Sequence, residues 1–397
     1  MPKKSIDLHG LPLVKVSRRG ANRLKEGHVW VYRSDILAAD GAPSGARVAV
    51  ADEREKFLGT ALYSSASQIA VRMISHEAVR DFDSLLRGRI QEAIAYRERV
   101  VRDTDAYRIV FSEADFLPGL IVDRYNDLLS LQVLTQAMDV EAVRQVILSE
   151  LTECLGPAAI AERVDPRVRE LEQLPARSSG LVQGGKTSTV FSMNGVRFHH
   201  EAFEGQKTVA FLDQRENYAA AAQYARGEAL DVFCYHGGFA LHLAPHCDKV
   251  TGVDSSRPAL EIADRNAALN GREIEWIEAN AFDLLRDYAS AGQRYDTVIL
   301  DPPAFAKSKS NLETALRGYK ELNLRALKML RPGGILVTCS CSYHVSPADF
   351  VEVVAQAARD MHRNLRIVEN RGQAKDHPTL FAVPETGYLK CLVLAVS

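Results

Sequence analysis

Ala229-Leu230-Asp231-Val232-Phe233-Cys234-Tyr235-His236-Gly237-Gly238-Phe239 opens as a buried apolar strand and ends in paired glycines where a helical pattern takes over. A strand turning sharply into a helix is the first unit of a strand-helix alternation, and the glycines let the backbone come close to a ligand at the helix start. The alternation continues to the C-terminus, with strands expected at 229–234, 249–254, 274–277, 295–301, 334–340, 365–369 and 388–395. The helix expected over 256–270 has a serine at one end and Gly271 as its stop, which is ordinary cap chemistry. The pattern predicts an α/β fold with a doubly wound, mainly parallel Rossmann-like sheet, whose ligands bind beyond the carboxyl ends of the strands.

Towards the N-terminus, Asn194-Gly195 sits between Val190-Phe191-Ser192-Met193 and Val196-Arg197-Phe198. This is a two-residue hairpin turn that needs positive φ, and it opens a last domain assigned to 187–397. A central α+β domain is expected over 79–186. Its helix over 81–101 carries Leu85, Leu86, Ile90, Ala93 and Ile94 on one face, its strands at 119–123 and 128–134 flank the turn Tyr125-Asn126-Asp127, and a second helix covers 140–155. Residues 1–78 alternate short apolar runs (11–16, 28–32, 46–51, 57–63 and 69–74) with turns, the pattern of a small β-rich domain. There Lys15, Arg18, Arg19, Arg23, Lys25 and Arg33 alternate with Trp30 and Tyr32, a mixture suited to phosphates and bases or to a solvated face.

A chain of 397 residues is too long for one hydrophobic core, in keeping with such a division. Its composition, 46% hydrophobic and 25% charged, is that of a globular protein, and no apolar stretch approaches the ~20 residues of a membrane span. Lys3 and Lys4 have no apolar run behind them, so no secretory signal is read and the cytosol is expected. Cys154, Cys234, Cys247, Cys339, Cys341 and Cys391 show no CxxC pairing, which argues for free thiols and against a disulfide framework or a metal site. A net charge of −2 leaves nucleic-acid binding open, since that uses a local basic face.

Asp254 ends the second strand in Val253-Asp254-Ser255, where a carboxylate accepts both hydroxyls of a ribose. Together with the glycine turn it implies an adenosine ligand. The turn lacks the G-x-G-x-x-G spacing that seats a pyrophosphate, so S-adenosylmethionine is favoured over a dinucleotide. The candidate cofactor residues are Asp231, Phe233, Tyr235, Gly237, Gly238, Asp254 and Ser255, then Asn280 and Ala281 after the third strand, and Asp301 and Pro302 after the fourth. Asn280 bonds an adenine edge or caps the next helix.

The fourth strand runs out in Val298-Ile299-Leu300-Asp301-Pro302-Pro303-Ala304-Phe305. Two prolines fix the backbone and remove donors, so Asp301 is presented rigidly to the cleft, as methyl transfer to a base requires. Lys307 and Lys309 follow, as partners of a phosphate backbone or as solvated lysines. After the fifth strand comes Thr338-Cys339-Ser340-Cys341-Ser342-Tyr343. Carbon 5 of cytosine is a poor nucleophile until a thiolate adds to carbon 6 and makes an enamine. Cys341, further out than Cys339 on the same side of the strand, is the expected nucleophile. Cys339 is the alternative, and a buried thiol without a chemical role is open for each. The reactive thiolate needs a positive or hydrogen-bonding surround. The target cytosine must leave its stack to lie between Asp301 and Cys341, near Pro303 and Phe305. No motif identifies the base that removes the carbon 5 proton.

The phrases DVFCYHGGFALH (231–242), VILDPPAFAKSK (298–309) and TCSCS (338–342), with Gln206-Lys207-Thr208 and Phe211-Leu212-Asp213-Gln214-Arg215, resemble the bacterial 23S ribosomal RNA large-subunit methyltransferases that make 5-methylcytosine. The likeness spans nearly the whole chain. Gly27-His28-Val29-Trp30-Val31-Tyr32 and Ala66-Ser67-Gln68-Ile69-Ala70-Val71-Arg72 resemble that family's PUA domain, a small RNA-binding β-barrel, and the stretch from Glu113 to Arg124 resembles its central domain. The resemblance implies a class I Rossmann-like methyltransferase that uses S-adenosylmethionine on 23S ribosomal RNA. Cys341 would be the nucleophile, Asp301 the cytosine contact and Arg215 a further substrate contact, and a homodimer is compatible with it. The chain has His236 where the family usually has Thr, Asn280 where an acid is frequent, and Val209 where Gly is usual. The first two bear on cofactor contacts. Two other readings stay open: methylation of an exocyclic guanine or adenine nitrogen, which needs no thiol, and a non-catalytic RNA-binding assembly factor.

Overall fold

The computed structural model describes residues 10–39, 41–203, 210–306 and 308–397. Lys3, Lys4, Gln206, Lys207, Thr208, Val209 and Lys307 lie outside the described residues, as does the side chain of Lys309. The chain forms two compact units. One runs to Arg102 and takes in Ala106–Thr189 and Asp376–Thr386; the other consists of Asp103–Asp105, Val190–Lys375 and Gly387–Ser397.

The first unit holds two sheets. Its six-stranded sheet has the order Trp30–Tyr32, Ile69–Ser75, Phe57–Tyr63, Arg47–Ala51, Leu13–Val16, Ile36–Ala38. Each apolar run expected in the β-rich segment is found as a strand. The short strand Ile36–Ala38 and the helix Arg18–Lys25, capped by the Ser17 hydroxyl accepting from the Gly20 N–H, were not expected. They reorganise the basic face. Arg19 and Arg23 pair with Asp35 at 2.7 and 3.5 Å, Lys15 with Glu55 at 2.8 Å and Lys25 with Asp52 at 3.6 Å. Arg33 donates to the Ser64 and Ser67 carbonyls. Most of these cations therefore serve the fold first, because each lies beside an acid or carbonyl that strand pairing brings near.

The five-stranded sheet, Gly180–Gly184, Ala159–Glu162, Leu128–Val133, Leu120–Tyr125, Ala106–Phe111, is packed by helices Phe82–Val100 and Glu141–Leu155. Leu86 and Ile90 of the first helix join Val122, Leu131 and Ile147 in the core. Asp81 caps that helix by accepting from the Ser84 N–H, and Asn126 takes φ 55° in the expected turn. Arg97 is fully buried and donates to the Arg108 carbonyl, to Asp115 at 2.5 Å and to the Asp376 carbonyl at 2.8 Å.

The second unit is built on a seven-stranded sheet. Its strands in chain order are Glu228–Val232, Lys249–Asp254, Glu275–Glu278, Tyr295–Leu300, Leu330–Ser340, Leu365–Arg371 and Lys390–Val396. In space they run third, second, first, fourth, fifth, seventh, sixth, with only the seventh antiparallel to its neighbours. Both faces are covered, so the central strands are apolar throughout rather than alternating. Val232, Leu300 and Leu336 pack with Tyr319 and Leu322 of the helix Leu312–Met329 and with Phe350 of the helix Pro347–Asp360. The hairpin before the sheet turns through Asn194 (φ 50°) and Gly195 (φ 81°). Among the described residues no helix is long and apolar enough to cross a membrane.

Replacing Arg97 by Leu would strand Asp115 in the interior without a cation. The expected loss is about 3–5 kcal/mol of unfolding free energy, measured by urea denaturation.

Candidate active site

The turn after the first strand holds Phe233 at φ 68° and Tyr235 at φ 49°, left-handed backbone that a side-chain-bearing residue keeps only when its surroundings enforce it. The enforcement is visible. The Phe233 and Cys234 N–H groups both donate to the Val253 carbonyl, at 2.9 and 3.0 Å. The Tyr235 N–H donates to Asp254 Oδ2 at 3.0 Å and the Ser256 N–H to Oδ1 at 2.9 Å. Asp254 is thus fixed, with lone pairs remaining on both oxygens for a diol. Gly238 is dictated by packing, because a Cβ there would lie 2.5 Å from the Tyr218 ring.

A cavity of about 1080 Å³ opens beyond these strand ends. Phe233, Tyr235, Asp254, Ser255, Asp301, Pro302, Pro303 and Cys341 are in its lining. His236 is part of the wall and stacks on Tyr235 with ring centroids 3.7 Å apart. Asp213, Gln214 and Tyr388 complete it.

Several expected residues do not reach this wall. Asp231 is buried beneath the turn, where Oδ2 accepts from the Ala240 N–H at 2.8 Å. Burial pushes its carboxyl up to about 7, and Oδ1 has no partner among the described residues. Gly237 (φ 83°) shapes the turn, and Gly238 packs on Tyr218. Asn280 spends its side-chain oxygen on the Phe282 and Asp283 N–H groups as a helix cap, and Ala281 begins that helix. Arg215 is buried at the start of the helix Arg215–Tyr224, with Glu216 at 3.6 Å. Phe305 packs between Phe282 and Tyr319.

Cys341 is half-buried, with its Sγ 3.7 Å from the Pro302 carbonyl. Cys339 is fully buried opposite Cys391, and burial with that neighbouring thiol pushes its own well above the ordinary value. The loop bearing Cys341 is tied at several points. The Tyr319 hydroxyl bonds Ser340 and Ser342 at 2.9 Å each, and the Ala306 N–H donates to Ser342 Oγ at 3.1 Å. Lys390 donates to the Ser342 and Tyr388 carbonyls, both at 2.7 Å, and burial lowers its ammonium to about 8.

Asp301 accepts from Gln214 Nε2 at 2.9 Å, and Gln214 Oε1 is held by Asn217 at 2.6 Å. Burial, with Asp213 and Asp231 nearby, pushes the Asp301 carboxyl up to about 8, so it holds its proton at neutral pH. Asp213 and Gln214 stood in a quoted motif without an assigned role. Tyr388 and Lys390 carried no local signal, since antiparallel pairing of the last strand brings them to the site.

The residues present fit an adenosine-bearing sulfonium. Asp254 offers a ribose acceptor, and Phe233 and Tyr235 offer apolar surface. Brief treatment of the native protein with iodoacetamide is expected to alkylate Cys341 and to spare Cys234, Cys339 and Cys391, whose side chains are buried; peptide mass spectrometry reads the pattern.

The chain matches a PUA-like domain family over residues 14–76 and the S-adenosylmethionine-dependent methyltransferase family over 113–393. The ribosomal RNA large subunit methyltransferase I of Photobacterium profundum is 38% identical, over 92% of this chain and 95% of its own length. That of Vibrio cholerae serotype O1 is 37% identical, over 96% and 100%. A solved protein from Streptococcus mutans, assigned as an S-adenosylmethionine-dependent methyltransferase, shares the fold with a TM-score of 0.83 at 18% identity, covering 97% of this chain and 100% of that one. This chain belongs to the S-adenosylmethionine-dependent methyltransferase family, in the group of the ribosomal RNA large subunit methyltransferases I, and S-adenosylmethionine is its cofactor.

Proposed function

We propose that this enzyme methylates carbon 5 of a cytosine in 23S ribosomal RNA through a covalent Cys341-cytosine intermediate, in the cytoplasm. The observation that carries the reading is the sharing of one cavity by a half-buried thiol, Cys341, a carboxyl that keeps its proton, Asp301, and the ribose acceptor Asp254. The names borne by its relatives supply the RNA class.

In this reading Asp254, Phe233, Tyr235 and Ser255 hold the cofactor, which supplies an electrophilic methyl when bound. Asp301 donates a hydrogen bond to cytosine N3 and passes its proton there as the Cys341 thiolate adds to carbon 6, so negative charge does not accumulate on the ring. Pro302 and Pro303 keep that carboxyl aimed at the base, and their rings help to exclude water. The PUA-like segment, within the proposed domain 1–78, holds the RNA. The open face of the helix Arg18–Lys25, where Arg18 and Asn22 stand beside Arg19 and Arg23, meets its phosphates. In the chain this module is followed by the proposed domain 79–186 and then by the proposed domain 187–397, which carries the catalytic sheet.

Mass-spectrometric mapping of 23S ribosomal RNA from cells with and without the protein tests the product, with 5-methylcytosine at one position as the expected difference. Cys341→Ala is expected to lower methylation of that RNA by at least about a thousandfold, whereas a variant that still turned over would point to an exocyclic nitrogen as the acceptor. As pH rises through about 8, Asp301 and Lys390 both lose protons, so kcat/KM is expected to fall with a slope approaching two protons. In Asp301→Asn, slower throughout, the slope drops to one.

A further inference from the structure

A 5-methylcytosine enzyme needs a base for the carbon 5 proton, and we infer that Asp213 is that base, with Tyr388 as its positioning residue. The inference rests on the cytosine reading above. Asp213 stands in the same cavity wall as Asp301 and Cys341 and is partly open to it. The Tyr388 hydroxyl donates to its Oδ2 at 2.6 Å, and its backbone carbonyl accepts from the Ala374 N–H at 2.8 Å. Tyr388 is in turn fixed to the nucleophile's loop, because Lys390 clamps the Tyr388 and Ser342 carbonyls with one ammonium. The two side chains that would act on adjacent ring carbons are thus joined through Ser342, Lys390 and Tyr388.

The other carboxyls of the cavity are placed for different work. Asp301 is committed to N3, giving its proton there as the thiolate adds and recovering it from there as the cycle closes, so it serves a different ring atom. Asp254 is engaged with the Tyr235 and Ser256 N–H groups at the end of the second strand, and Glu261 lies near Arg257 on the helix Arg257–Leu269. Two carboxyls in one pocket with different surroundings, Asp301 held by an amide in the interior and Asp213 by a phenol at the partly open wall, can divide the acid and base roles.

The step balances. Once carbon 5 carries the methyl, Asp213 takes its proton, and the C–H electron pair re-forms the ring double bond between carbons 5 and 6. The sulfur-carbon 6 bond breaks with its electrons returning to Cys341, and the N3 proton goes back to Asp301. Without the base the sequence stops at a methylated, enzyme-bound cytosine.

That arrest is the test. Wild-type protein, Asp213→Asn, Tyr388→Phe and Cys341→Ala are each incubated with S-adenosylmethionine and 23S ribosomal RNA, ordinary or transcribed with 5-fluorocytidine, and protein-RNA adducts are separated on denaturing gels. Fluorine at carbon 5 cannot leave as a proton, so the fluorinated RNA traps any enzyme able to complete the first half. Asp213→Asn is expected to accumulate adduct on ordinary RNA, to trap like wild type on fluorinated RNA, and to turn over at least about a hundredfold more slowly. Tyr388→Phe is expected to show a smaller accumulation, and it keeps the test decisive should Asp213→Asn fail to fold. Near-wild-type turnover by Asp213→Asn overturns the assignment, as does its failure to trap on fluorinated RNA with an unchanged melting temperature. If wild type does not trap and Cys341→Ala still methylates, the cytosine reading itself falls and takes the base with it.

Discussion

Lateral pairing in the large sheet sets where every reactive group stands. Val232 pairs with Leu300, and Leu300 with Thr338, so the first, fourth and fifth strands finish nearly level and deliver Phe233, Asp301 and Cys341 to one rim. A shift of a single residue in any of these ladders would reverse the facing of that strand's side chains and withdraw its group from the cavity. The apolar packing of Val232, Leu300 and Leu336 against Tyr319 and Phe350 is what holds the ladders in place.

On this frame the site is assembled from buried polar groups, each of which would be destabilising alone. Lys390 has two carbonyls, Tyr319 has two serine hydroxyls, and Asp301 has an amide that is itself held by Asn217. Satisfied networks of this kind are stiff. Stiffness is useful here, since attack on a ring carbon and later release of the same bond both require sulfur and base to keep their geometry through the cycle.

The strand-helix alternation and the motif at each strand end were legible because period and turn chemistry are local. The cap at Ser256, the Asn194-Gly195 turn and the placement of Cys341 outside Cys339 follow from neighbours in the chain. What could not be read is long-range. Tyr388 meets Asp213 only because the seventh strand runs antiparallel to the fifth, a pairing without a sequence signature. Asn280 and Arg215 carried the right chemistry for a ligand but were claimed by a helix end and by the interior. The cations of the β-rich segment were likewise claimed, by acids such as Asp35 that only the folded sheet brings alongside.

The segment Asp376–Thr386 belongs to the first unit although nearly the whole of the second precedes it in the chain. A ribosome therefore releases the β-rich half long before this piece, and Arg97 must wait for the Asp376 carbonyl until nearly all of the second unit has been synthesised. An early-folded N-terminal half would carry a buried guanidinium short of an acceptor. Maturation of the two halves is thereby coupled in time, and neither can be excised by a single cut without leaving the other incomplete.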